Sequence, residues 1–227
     1  MTRIYAHRGE SGRWPENTLL AFRHALQLGV DGIELDLHAS ADGVPVVLHD
    51  RELHRTTNGS GNVDELELAE LRQLDAGLGE RIPTFAEVLD LVGDQAHLDV
   101  EIKGHGIEEA VLTVLRQHPE VRWAISAFDW QTLRNVRAVD GAAPLWPLAE
   151  AVDDALFAVA SELKSPTVAI WHGAYTTASA QAIRSAGLQP MIWTVNDALE
   201  ARRVRNLGAF ALCSDDPAMA RAALDLA

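Results

Sequence analysis

Short apolar runs of strand type alternate along the chain with longer segments whose apolar residues recur at helical spacing. The strand pattern occurs at Arg3–His7, Gly32–His38, Val44–His49, His97–Lys103, Val121–Ala127, Pro144–Leu148, Thr167–Trp171, Pro190–Val195 and Phe210–Cys213. Helical periodicity is clearest over Asn17–Leu28, Phe85–Val92, Ile107–Gln117, Thr176–Ala186 and Ala198–Leu207. Local punctuation agrees. Asn17-Thr18 can cap the first helix, while Gly29, Gly187 and Gly208 can each end one, because glycine readily adopts the left-handed backbone that closes a helix. Such alternation implies a parallel sheet with helical crossovers. At about eight units, the expected fold class is α/β, an irregular (β/α)8 TIM barrel, with a doubly wound open sheet second. Nine strand candidates compete for the places, so one is surplus or belongs to a hairpin. The Asp42-Gly43 turn leaves no room for a helix between the second and third strands. Residues 1–227 carry no linker, repeat or low-complexity run and read as one domain. The stretch from Asp50 to Gly79 breaks the alternation: it is polar and glycine-dotted, with a short helix expected around Asp64–Leu74. Long loops in compact domains are usually functional or disordered, and this one leaves from a histidine-bearing strand end.

In a barrel of this type, reactive residues sit at the C-terminal ends of the strands. Those ends supply His7-Arg8, Glu34 with Asp36, His49-Asp50, Glu101 with Lys103, and Trp193 through Asn196. Glu34 and Asp36 share a face, as do Glu101 and Lys103, because side chains alternate with period two. Carboxylates facing an interior need partners. Glu34, Asp36 and Glu101 offer hard oxygen ligands suited to Mg2+ or Ca2+; the competing reading is a structural network in which they pair with Arg8 and Lys103. His7 and His49 form a second constellation, since two imidazoles on one ligand can divide general base and general acid duties. A guanidinium fork and a lysine point charge suit phosphate oxygens. His38 lies one step further out on the Glu34–Asp36 face, and His172 is placed to line a pocket mouth.

Composition narrows the partners. An excess of 33 acidic over 19 basic residues gives a formal net charge of −14, which disfavours nucleic acid and anionic membrane surfaces. A single cysteine, Cys213, excludes an intramolecular disulfide and a multi-cysteine zinc site. No apolar run reaches transmembrane length and no signal-type segment opens the chain, so it reads as cytoplasmic, with no stable membrane association expected.

The motifs resemble those of the glycerophosphodiester phosphodiesterase family. They comprise Ala6-His7-Arg8-Gly9, Pro15-Glu16-Asn17-Thr18, Glu34-Leu35-Asp36 and the run from Asp42-Gly43 to His49-Asp50. Arg55-Thr56-Thr57, Asp75-Ala76-Gly77, Ile82-Pro83-Thr84, Glu101-Ile102-Lys103 and Trp193-Thr194-Val195-Asn196 then follow in family order. The resemblance implies a phospholipase C-like barrel that hydrolyses glycerophosphodiesters to sn-glycerol 3-phosphate and an alcohol. It implies that Glu34, Asp36 and Glu101 hold a divalent metal, Mg2+ or Ca2+, and that His7 and His49 are the acid–base pair. Arg8 and Lys103 would contact phosphate, and Trp193 would line the substrate site. In the mechanism it implies, the glycerol hydroxyl attacks phosphorus and water opens the resulting cyclic diester, with His49 as first base and His7 as acid. With the metal bound, the pocket sums to about +1, matched to one phosphodiester, which leaves the acidic excess to the outer surface. The leaving alcohol is expected to meet loops such as Asp50–Gly79. Departures from the family pattern are Ser126-Ala127 where two serines are common, Ser214-Asp215 where threonine-aspartate is, and Asp99 where an uncharged amide is. Alternatives are lysophospholipase D-type cleavage of lysophospholipids and a catalytically silent phosphate-binding barrel.

Overall fold

In the computed structural model, which describes residues 1–225, the alternation closes into a barrel. The order runs β1 Arg3–His7, α1 Leu19–Gln27, β2 Gly32–Ala39, β3 Pro45–Val47, α2 Leu68–Leu71, α3 Phe85–Val92, β4 His97–Ile102 and α4 Glu108–Arg116. It continues with β5 Arg122–Ala127, α5 Trp130–Val139, β6 Leu145–Ala149, α6 Asp154–Glu162, β7 Thr167–Trp171 and α7 Thr177–Ser185. β8 Gln189–Trp193, α8 Ala198–Asn206, β9 Ala211–Ser214 and α9 Pro217–Asp225 complete it. Eight strands pair in parallel in the order β1-β9-β8-β7-β6-β5-β4-β2, and β1 also pairs with β2, which closes the ring. The surplus strand is β3. It pairs antiparallel with the C-terminal end of β2 through Leu37–Val47 and Ala39–Pro45, so the Asp42-Gly43 turn makes a hairpin where a crossover helix would stand.

Helix starts follow their capping residues. Thr18, Thr84, Thr176, Asp129, Asp153 and Asp197 each accept a backbone N–H of the first turn, and Thr84 with Glu87 forms a reciprocal capping box. Thr18 alone caps α1. Asn17 is in the left-handed region at φ 57° and turns its side chain elsewhere, so its expected share in the cap is corrected.

Apolar residues form three layers. The largest joins the outer faces of the strands to the helices. A second, with Tyr5, Trp146, Leu148, Met191 and Cys213, fills the barrel interior. Tyr5 meets the edge of Trp146 at 5.9 Å, and His97 stacks on Trp146 at 5.3 Å. Gly32 makes this plug possible, because a Cβ there would lie 2.2 Å from the Tyr5 ring. The third layer, Val46, Leu48, Leu53, Val63, Leu71, Ala76 and Ile82, lies beneath the excursion that follows β3. The excursion is therefore an ordered unit with its own small core. Its expected helix resolves into a 3-10 turn at Val63–Glu65 and the four-residue α2. No helix among the described residues is long and apolar enough to cross a membrane.

Gly32→Ala is expected to destabilise the protein by about 1–3 kcal/mol through overpacking against Tyr5. Gly141→Ala, where a Cβ meets nothing within 4 Å, should stay within about 0.5 kcal/mol of wild type. Urea melts of the two variants check this; equal midpoints would refute the packing argument.

Candidate active site

The interior plug ends below the C-terminal strand ends, and above it the barrel opens into a cavity of about 240 Å3. Register sets the cavity floor. His7 of β1 lies opposite Glu34 of β2, Glu34 opposite Asp99 of β4, and Asp36 opposite Glu101. Period-two alternation turns these side chains inward. Glu34, Asp36 and Glu101 place one oxygen each within 4.8 Å of one another, all buried in the barrel mouth. Like charges this close raise the free energy of the ionised state. Burial first, then Asp36, drives the Glu34 pKa well above the usual carboxylate range. Burial and Asp36 also push Glu101 to about 7, against the pull of Lys103. Asp36, fully buried, goes the other way: Arg8, Lys103, His49 and Asn17 outweigh its burial and hold it ionised.

Protein cations only partly neutralise the cluster. Lys103 Nζ donates to Glu101 at 2.7 Å and lies 3.5 Å from Asp36, while Arg8 Nε lies 3.1 Å from Asp36. The ion-pair network weighed from sequence therefore exists, and it leaves Asp36 Oδ1 without a hydrogen bond and Glu34 repelled by its neighbours. Three hard oxygens, one of them unpartnered, fit a divalent cation.

Both histidines carry a carboxylate on Nδ1. His7 Nδ1 lies 2.5 Å from Asp215 Oδ1, and His49 Nδ1 lies 2.5 Å from Asp50 Oδ1. An ionised carboxylate only accepts, so each Nδ1 holds the hydrogen and each Nε2 is the nitrogen left for exchange. Asp215 is held by the Asn196 amide at 2.5 Å and the Ser11 hydroxyl at 3.1 Å. Asp50 is held by Arg55, which also grips Glu16 with two bonds of 2.8 Å; Glu16 in turn accepts from Arg8 at 2.9 Å. One chain of charge thus runs from Asp36 through Arg8, Glu16, Arg55 and Asp50 to His49. Asn17 donates from its side-chain amide to Asp36 Oδ2 at 2.9 Å, which is what its left-handed backbone achieves.

The residues singled out from sequence converge: His7, Arg8, Glu34, His49, Glu101, Lys103 and Trp193 all line the cavity, and Asp36 lies directly behind. Two expectations are corrected. His172 turns away from the mouth to pair with Glu200 at 3.0 Å, because α8 brings that carboxylate to the end of β7. Residues 50–79 contribute no cavity wall; the excursion supports the site from behind through Asp50 and Arg55. His38 donates from Nε2–H to the His49 carbonyl, 3.0 Å away, and so braces the strand end. Asp215, Asp50, Arg55 and Glu16 were not assigned from sequence. Adjacency to His49 could have marked Asp50, and Asp215 belongs to the Ser214-Asp215 pair noted in the sequence, but nothing there points to His7, 208 residues away.

A closed parallel barrel with a buried acidic triad, two carboxylate-held imidazoles and two cations around one cavity defines an enzyme of the barrel phosphodiesterase class. The sequence model of the glycerophosphoryl diester phosphodiesterase family matches residues 7–219, and the chain belongs to that family. It is 34% identical over 230 residues to the glycerophosphodiester phosphodiesterase of Caldanaerobacter subterraneus, covering 95% of each chain. Among solved structures, an Oleispira antarctica phosphodiesterase in complex with the product sn-glycerol 3-phosphate superposes with a TM-score of 0.94 at 32% identity, covering 99% of this chain and 97% of that one. The glycerophosphodiester phosphodiesterase of Agrobacterium tumefaciens gives 0.87 at 28%, covering 98% and 100%.

A cation that binds here must displace the protons that raised Glu34 and Glu101 favour. Glu101, with its pKa about 7, is protonated below neutrality and ionised above it. The increment in melting temperature produced by Mg2+ or Ca2+ should therefore grow as pH rises from about 5 to about 8. Scanning fluorimetry with and without metal at each pH measures it; an increment independent of pH would refute the assignment.

Proposed function

We propose that the protein hydrolyses small, water-soluble glycerophosphodiesters to sn-glycerol 3-phosphate and an alcohol in a metal-dependent reaction with histidine acid–base catalysis. The observation that carries this reading is the pair of imidazoles with Nδ1 committed to Asp215 and Asp50, on the same cavity as the acidic triad. The product bound in the Oleispira antarctica relative supports the substrate class.

A divalent cation held by Glu34, Asp36 and Glu101 would supply Lewis acidity that stabilises negative charge on the reacting oxygens. Arg8 and Lys103 bind and orient the phosphate as fork and point charge. Burial, with Arg8 and Lys103 adding to it against Asp36, lowers the His49 pKa, so its imidazole is neutral at pH 7 and able to accept a proton. His49 takes the proton of the glycerol 2-hydroxyl as that oxygen bonds to phosphorus. The bond from phosphorus to the alcohol oxygen breaks, and His7, entering the step as the imidazolium, gives that oxygen its Nε2 proton. In the second half the roles exchange: His7 takes a proton from water as it opens the cyclic diester, and His49 returns one to the 2-oxygen. Asp215 and Asp50 fix the two rings and stabilise each imidazolium as it forms. Trp193 closes one side of the cavity. The cavity volume of about 240 Å3 matches a small diester, and the retained imidazole pair argues against a silent phosphate binder.

Excess EDTA is expected to abolish release of glycerol 3-phosphate from glycerophosphocholine, with activity restored by Mg2+ or Ca2+; full activity in EDTA would overturn metal dependence. His49→Ala should lower kcat by about 10²–10⁴-fold with the fold retained by circular dichroism, and near-normal turnover would remove it from the reaction. Asp215→Ala should reduce kcat far more than it changes KM, while Asp215→Glu recovers part of the loss. A change confined to KM would count against its role in positioning His7.

A further inference from the structure

The barrel mouth is divided. One arc, from β1, the β3 end, β2 and β4, carries the imidazoles, carboxylates and cations. The other arc, from β5 to β8, presents Phe128, Leu148, Met191 and Trp193, with Glu150 as its one ionised group. Phe128 follows β5 directly and is 44% exposed; its ring meets Trp193 of β8 edge to face at 5.3 Å. Glu150 follows β6 directly and is exposed, and its carboxylate makes no ion pair among the described residues. All three line the same cavity as Leu148 and Met191.

A glycerophosphodiester places different demands on the two arcs. Its glycerol hydroxyls and phosphate require the donors and charges of the polar arc. Only the leaving alcohol is left to meet the aromatic one. An uncharged polyol would lose hydrogen bonds against Phe128 and Leu148 without finding replacements. Lys103 Nζ already lies 5.9 Å from the Phe128 ring centroid, so the rim holds a cation against this aromatic side chain, and an ammonium group gains there from the exposed rings and from the Glu150 carboxylate. The net charge of −14 acts in the same direction, since a diester with a cationic alcohol is neutral overall and one with a polyol is anionic.

Building on the phosphodiesterase reading above, we propose that Phe128, Trp193 and Glu150 form a subsite for a cationic alcohol, so that diesters of choline or ethanolamine type are preferred over polyol diesters. The carboxylate serves either ammonium; the aromatic faces favour the methylated one.

The test is kcat/KM for glycerophosphocholine, glycerophosphoethanolamine, glycerophosphoglycerol and glycerophosphoinositol with saturating Mg2+ or Ca2+. Wild type should favour the two ammonium diesters by about 5–30-fold. Glu150→Gln should lower the choline-to-glycerol ratio of kcat/KM several-fold, mainly through KM, and Phe128→Leu should lower the choline-to-ethanolamine ratio. Free choline should inhibit the wild type competitively and Glu150→Gln more weakly. Hydrolysis of all four diesters at equal efficiency, or ratios untouched by both variants, would overturn the subsite while leaving the phosphodiesterase reading standing. Absence of glycerol 3-phosphate from every diester would overturn both.

Discussion

Three carboxylates that repel one another at the end of a closed apolar core set the terms for everything around them. Glu34, Asp36 and Glu101 are buried where water cannot screen them. The chain answers with Arg8 and Lys103 at the floor, Asn17 from a left-handed turn, and the Arg8 backbone N–H directed at Glu34 Oε2, 3.1 Å away. None of these completes the neutralisation: Arg8 is shared with Glu16, and the single charge of Lys103 is divided between Glu101 and Asp36. The shortfall is what makes the triad fit a divalent cation. The same shortfall explains why the segments after β1 and β3 are bound so firmly to each other. Glu16 is shared between Arg8 and Arg55, so the residue beside the triad and the residue steadying Asp50 have a common anchor.

Much of the barrel and the heart of the site could be read from the chain because both rest on short-range regularity. Period-two alternation put Glu34 with Asp36 and Glu101 with Lys103 on inward faces, and the short turn through Asp42-Gly43 left only a hairpin. The structure was harder to read where one residue had two uses. Asn17 can cap a helix or hold a carboxylate; Thr18 beside it took the cap, and the long-range contact to Asp36 decided the rest. The excursion after β3 looked like a substrate loop because it is polar and long. Its scattered apolar residues, from Leu53 to Ile82, gather into a core only when folded. Phe128 and Glu150 sit one position beyond their strands, where no pattern marks them, and only closure of the ring brings them to one rim.

That rim separates two kinds of chemistry. The buried charges lie on one arc, and the exposed side chains proposed to meet the departing group stand on other strands. Glu150 stands outside the carboxylate network, whereas Phe128 reaches its edge, with Lys103 Nζ 5.9 Å from the ring centroid. The selectivity of such a barrel can therefore drift across relatives while its reaction stays constant.

His7 and Asp215 join the first strand to the residue just after the last, across 208 positions. During synthesis the ribosome delivers β1 at the outset and β9 only near the finish, and β1 needs both β2 and β9 to close the ring. Until β9 is in place the ring is open, and the first imidazole lacks the carboxylate beside its Nδ1. The strand that closes the ring and the carboxylate that holds His7 therefore come from one stretch of chain.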